Sequence, residues 1–114
     1  MMSESCLNVV QSNCQRAYAV MCDLGELLCE RRVSVALLQE PYVRDGRVTG
    51  LPASMDVVVC ESEFIKAAVV VNDSKLDVMC VRECTNEYGV CVWLKGGFGE
   101  MYVVSVYCQY GKSI

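Results

Sequence analysis

The pattern that most constrains this fold is a helical apolar stripe enclosed by two strand-sized runs. Over residues 16–32, Val20, Leu24, Leu27 and Leu28 recur at helical spacing, and Glu26, Glu30, Arg31 and Arg32 fall on the other face. The spacing predicts a helix whose apolar side chains pack into a core. Residues 6–12 alternate loosely and read as a strand, and residues 33–39 form the short apolar run of a buried parallel strand. Pro41 ends that second strand, because proline cannot donate to a ladder. Strand, helix and strand in succession make the two strands parallel, so their carboxyl ends finish on one edge of the sheet. Asn13 stands at the end of the first and Glu40 at the end of the second. A carboxamide and a carboxylate on such an edge are half of a site for a hard cation.

Beyond Pro41 the pattern changes. Residues 42–55 read as loop, with turn signals at Asp45-Gly46 and Gly50-Leu51-Pro52. From residue 56 onward only strands are indicated, at 56–60, 66–72, 75–83, 88–95 and 101–107. Their separators are Glu61-Ser62-Glu63, Asn72-Asp73-Ser74, Thr85-Asn86-Glu87 and Gly96-Gly97. The prediction is one β-α-β unit followed by an antiparallel meander, a mixed sheet in an α/β (α+β layered) protein. One helix for about seven strands leaves a sheet face without a partner.

Composition narrows the chemistry. At 114 residues the chain is one small domain, and 54% apolar residues exclude disorder. No apolar run approaches the ~20 residues of a membrane helix. The first residues carry no basic or long apolar leader, so secretion is not expected. Nine cysteines are an odd number, and Cys6, Cys60, Cys91 and Cys108 fall within apolar strand patterns. They are read as small buried hydrophobes in a reducing nuclear or cytoplasmic setting. Cys80 and Cys84 have zinc-like spacing but no second pair to match them. The sequence contains no histidine, which excludes Ser-His-Asp, Cys-His and His-based general-base catalysis within these residues. A net charge of −4 argues against a broad electrostatic footprint for nucleic acid, but a metal-dependent nuclease has an acidic site of its own. Arg16, Arg44, Arg47 and Lys66 could contact phosphates, and dispersed as they are they read first as solvated surface.

Three short stretches carry a resemblance. Gln11-Ser12-Asn13-Cys14-Gln15-Arg16 resembles the opening motif of the endonuclease/exonuclease/phosphatase superfamily, closest to the apurinic-like endonuclease domains of insect non-LTR retrotransposons. Leu37-Leu38-Gln39-Glu40-Pro41-Tyr42 resembles the second motif. Arg47 to Pro52, Lys66 to Val71 and Val103 to Tyr110 follow in the order expected of such an element. The resemblance runs from about residue 8 to the C-terminus and covers the N-terminal half of the family's domain. It implies a DNase I-like two-sheet sandwich, of which residues 1–114 are a single incomplete domain lacking the C-terminal half.

It also implies roles. Glu40 matches the glutamate that binds the catalytic Mg²⁺, Asn13 the asparagine beside metal and scissile phosphate, and Tyr107 the tyrosine that helps hold the phosphate. Mg²⁺ takes a few hard oxygens and retains water, so one or two carboxylates suffice. A tyrosine hydroxyl and an amide can hydrogen-bond nonbridging oxygens. The implied parent activity is Mg²⁺-dependent nicking of target DNA that primes reverse transcription. The family's Gly-Asp-x-Asn loop and C-terminal Ser-Asp-His are both missing. Phosphodiester hydrolysis needs nucleophile, metal and phosphate positioned together, so these residues alone are expected to lack efficient catalysis. The alternative is a non-catalytic interaction module that uses an uncovered sheet face for self-association or another partner. A third reading is complementation in trans by a separately encoded second half.

Overall fold

In the computed structural model the described residues are 7–62 and 64–108. Strand β1 (Val9–Asn13), helix α1 (Tyr18–Glu30) and strand β2 (Val35–Gln39) form the expected unit, with β1 and β2 parallel and Asn13 opposite Gln39. The start of the predicted first strand, at Cys6, lies outside the described residues. The helix is shorter than its apolar pattern. Gln15 and Arg16 take left-handed φ of 53° and 55°, and Arg32 takes 52°, so neither flank continues a right-handed helix.

The segment expected to be loop contains a small hairpin. Strands β3 (Val43–Arg44) and β4 (Arg47–Val48) pair through the two-residue turn Asp45-Gly46, whose φ values are 54° and 76°. Two successive positive φ angles match the right-handed twist of a hairpin, and an Asp-Gly sequence supplies them at low cost.

The strands beyond residue 56 do not form one meander. Strands β5 (Asp56–Val58) and β6 (Ala67–Val71) are antiparallel and return to the first sheet, whose order is β1-β2-β6-β5. Strands β7 (Asp77–Cys80), β8 (Gly89–Gly96) and β9 (Gly99–Val106) make a second, antiparallel sheet in that order. A short 3-10 turn, Arg82–Cys84, occupies the end of the predicted 75–83 strand. The reason for two sheets lies in β6. Ala67-Ala68-Val69-Val70-Val71 is buried at every position, so both faces need a cover.

Alternation along the strands assigns the covers. Ala36, Leu38, Ala68 and Val70 point to the helix and meet Met21, Leu24 and Leu28. Val35, Val69 and Val71 point the other way and meet Val90, Val92 and Leu94 of the second sheet. Each fully buried aliphatic side chain contributes roughly 1.5–3 kcal/mol. The unpartnered face is the outer side of the second sheet, where Met79, Tyr102, Val104 and Val106 remain exposed beside half-buried Trp93.

The buried-thiol reading holds for Cys14 and Cys91 and fails for Cys29, Cys84 and Cys108, which are exposed; Cys6 lies outside the described residues. Cys108 follows the end of β9 instead of packing within it. No helix among the described residues is long and apolar enough to cross a membrane.

Candidate metal centre and phosphate cleft

The carboxyl ends of β1 and β2 meet as their parallel pairing requires. Backbone bonds extend the pairing past the strands: Cys14 N–H donates to the Gln39 carbonyl at 2.8 Å, and Arg16 N–H to the Glu40 carbonyl at 2.8 Å. From the other side, Glu40 N–H donates to the Lys66 carbonyl at 2.9 Å. Glu40 is therefore held on both flanks, and it takes a left-handed φ of 50°. Such a conformation in a residue with a Cβ costs on the order of 1 kcal/mol and persists where its surroundings over-determine it.

The side chains converge in the same place. Asn13 Nδ2 donates to Glu40 Oε1 at 3.1 Å, and Asn13 Oδ1 accepts the Gln15 N–H at 2.9 Å. The second contact is an Asx turn that orients the amide and carries the chain round toward α1. Arg16 Nε lies 3.6 Å from Glu40 Oε2. Arg16, read from sequence as solvated surface, thus neutralises the candidate ligand. Both partners are partly exposed, so the pair contributes at most about 1 kcal/mol.

Tyr107 reaches this edge from the second sheet. Its N–H donates to the Tyr88 carbonyl at 2.7 Å, and the residue lines a cleft of ≈ 350 Å³ with Ser12, Asn13, Gln39 and Cys108. Glu40 does not line this cleft itself and is joined to it through its hydrogen bond to the lining residue Asn13. The three predicted positions are therefore neighbours, although they come from both sheets. Arg44 and Arg47 face one another across the β3–β4 hairpin. Gly96, Gly97 and Gly99 belong to the β8–β9 hairpin, as the absence of a following helix suggests.

Sequence reasoning passed over the floor of the cleft. Gln39 Nε2 donates to Ser105 Oγ at 3.1 Å, and Ser105 Oγ donates to the Leu38 carbonyl at 2.7 Å. Both side chains are buried, and together they tie β2 of one sheet to β9 of the other directly beneath the site. The available signal was a serine inside the apolar run Val103-Val104-Ser105-Val106. A hydroxyl there needs a partner, and an opposing strand has to supply it.

Among the described residues no group of three or more acidic, cysteine or histidine side chains gathers. One carboxylate with a hydrogen-bonded amide beside an open cleft suits Mg²⁺, which keeps most of its water and shares the rest of its shell with phosphate oxygens. In this arrangement Asn13 gives its N–H to Glu40 and keeps one Oδ1 lone pair open.

Two facing sheets, a helix against one of them and a cleft at the strand carboxyl ends describe part of a DNase I-like endonuclease fold. The chain superposes with a TM-score of 0.79 on the endonuclease domain of TRAS1, a telomere-specific non-LTR retrotransposon, at 29% identity over 94% of this chain and 47% of that one. It is 36% identical over 101 residues to a putative 115 kDa protein in the type-1 retrotransposable element R1DM of Drosophila melanogaster, covering 89% of this chain and 10% of that protein. It is 46% identical over 72 residues to the Pol polyprotein of the type-1 retrotransposable element R1 of Bradysia coprophila, covering 60% and 7%. No protein-family model matches the chain. The chain spans about half of the solved domain and a tenth or less of the curated relatives. In fold and in sequence the chain is similar to the endonuclease domain of a non-LTR retrotransposon and to proteins of R1 retrotransposable elements.

Proposed function

We propose that the chain is a partial Mg²⁺-dependent endonuclease domain whose parent activity is nicking of target DNA for reverse transcription. The observation that carries this is the Asn13–Glu40 hydrogen bond, made at the carboxyl edge of the sheet beside a cleft that also receives Tyr107. Glu40 would hold the cation, Asn13 would orient the carboxylate and border the metal, and Tyr107 would hydrogen-bond a nonbridging phosphate oxygen. A bound Mg²⁺ would supply Lewis-acid polarisation of the phosphoryl group. A DNA substrate and unpaired thiols suit a reducing nucleus or cytoplasm.

The 114 residues by themselves are not an efficient nuclease on this reading. They include no histidine and neither of the family's remaining motifs, so nothing in them activates and aims the attacking water. Supercoiled plasmid incubated with Mg²⁺ tests this, with no conversion to open circles above the no-enzyme control as the expected result. Nicking that disappears in Glu40→Ala would overturn the claim of inactivity while supporting the metal site. Co-expression with a separately encoded second half, followed by the same assay, tests complementation in trans.

A second reading has its own observation. The outer face of the β7-β8-β9 sheet exposes Met79, Tyr102, Val104 and Val106, which suits a non-catalytic module that self-associates. A concentration-independent monomer in sizing chromatography would remove that reading.

A further inference from the structure

We propose that Phe64, Lys66 and Tyr88 form a DNA-strand subsite beside Glu40 and Tyr107; this deepens, and rests on, the nuclease reading. In it a base stacks on the exposed rings and Lys66 takes the adjacent phosphate. The two loops that carry these residues are each fastened to the site. The Lys66 carbonyl accepts the Glu40 N–H, and the Tyr88 carbonyl accepts the Tyr107 N–H. The patch therefore sits one residue away from the candidate ligand on one side and from the candidate phosphate contact on the other.

The side chains are arranged for such a task. Lys66 Nζ lies 4.7 Å from the Tyr88 ring centroid and 5.6 Å from that of Phe64. The two rings are 43% and 59% exposed, which leaves aromatic surface open to a further partner. The ammonium group is held by Glu87 Oε2 at 3.5 Å, so one anionic oxygen already occupies the position a phosphate would take. Nucleic acid is the occupant favoured by this chemistry. Strand-binding proteins pair a cation that follows the backbone with aromatic faces on which bases stack, and such stacking tolerates any base.

Fluorescence anisotropy with labelled single-stranded and duplex oligonucleotides tests the subsite, with circular dichroism to verify folding. Phe64→Ala and Tyr88→Ala are expected to weaken binding by about 5- to 150-fold each, the range for losing one base stack. Tyr88→Phe should restore it. Lys66→Gln should reduce the slope of log affinity against log salt by about one. Glu87→Gln should tighten binding. A 2-aminopurine oligonucleotide should be quenched on binding by wild type and not by Tyr88→Ala. Wild type that binds neither oligonucleotide, or ring variants that bind as wild type does, would overturn the subsite. Thermal protection by Mg²⁺ without DNA, compared between wild type and Glu40→Gln, scores the nuclease reading separately. Protection lost in Glu40→Gln alongside unchanged DNA binding in the ring variants refutes only the subsite. Ring-dependent binding with no cation response refutes only the metal centre.

Discussion

The Asn13 amide reaches the Glu40 carboxylate at 3.1 Å across a sequence separation of 27 residues. Parallel strand pairing brings the two ends together, and two backbone hydrogen bonds, from Arg16 N–H and to the Lys66 carbonyl, then hold Glu40 in a left-handed conformation. The conformation makes a prediction independent of catalysis. Glu40→Ala removes the Arg16 pair and the Asn13 contact but retains a Cβ at φ 50°, whereas Glu40→Gly removes the Cβ as well. The glycine variant should be the more stable of the two by about 1 kcal/mol. Urea denaturation of both measures the difference; an alanine variant that equals or exceeds the glycine variant would show that the backbone carries no strain there.

The Gln39–Ser105 bridge beneath the cleft is buried and joins the two sheets. Ser105→Ala strips the Gln39 amide of its acceptor and the Leu38 carbonyl of its donor. An unsatisfied buried polar group costs about 1–3 kcal/mol, so the variant should lose that much. Adding Gln39→Leu removes the orphaned amide, and the double variant should recover part of the loss. Chemical denaturation of the four-member cycle checks this, and strict additivity would rule out the coupling.

Gly50 has a φ of 108°, and a Cβ placed there would lie 2.8 Å from the Cβ of Met21, a core residue of α1. Neither the angle nor the approach tolerates a side chain. Gly50→Ala should destabilise by about 1–3 kcal/mol, more than Gly46→Ala, where nothing lies within 4 Å. Thermal melts of the pair separate steric approach from backbone angle, because both positions have positive φ.

The apolar outer face of the second sheet should bind ANS and drive concentration-dependent association. Tyr102 and Val104 are 67% and 47% exposed on an edge strand. Lysine at both positions should reduce dye binding and association without loss of stability, because neither side chain is in the core. Analytical ultracentrifugation of wild type and the double variant decides it.

Much of this arrangement was legible in the sequence, for identifiable reasons. The helical spacing of Val20, Leu24 and Leu28 and the runs on either side specify a parallel unit, and with it the meeting of Asn13 and Glu40. The resemblance implied two sheets, but which strands belong to which sheet was not legible. Alternation fixes which side chains share a face but not which strand a long connection returns to, so β6 beside β2 had to be seen. The β3–β4 hairpin hid because two-residue strands carry no periodicity, although Asp45-Gly46 marked its turn. Arg16 and Lys66 were unreadable for another reason. Their partners, Glu40 for one and Glu87 with two aromatic rings for the other, lie 21 or more residues away except for Phe64, and no local pattern encodes such pairs. Ser105, by contrast, is a polar residue whose place in an apolar strand signalled a distant partner.

Cys14 provides a final prediction, from pH. Its side chain is fully buried between β1 and α1, and burial pushes the thiol above its ordinary value, partly opposed by the Ser12 hydroxyl. The thiol is neutral below its unfolded pKa in both states, so pH has no effect on stability there. As pH rises past about 8.5, the unfolded chain releases this proton while the folded chain retains it. The folded state is then penalised, and the associated stability is lost progressively up to the folded pKa, at about 1.4 kcal/mol per unit of difference. Cys91, raised mainly by burial and further by Cys84 and Cys80, acts in the same direction. Stability should therefore fall as pH rises above about 8.5, and Cys14→Ala should flatten that fall while lowering stability at neutral pH through the cavity it leaves. Denaturation midpoints at pH 7 and pH 9.5 for wild type and variant measure both effects, and an unchanged pH dependence in Cys14→Ala would assign the alkaline loss to other groups.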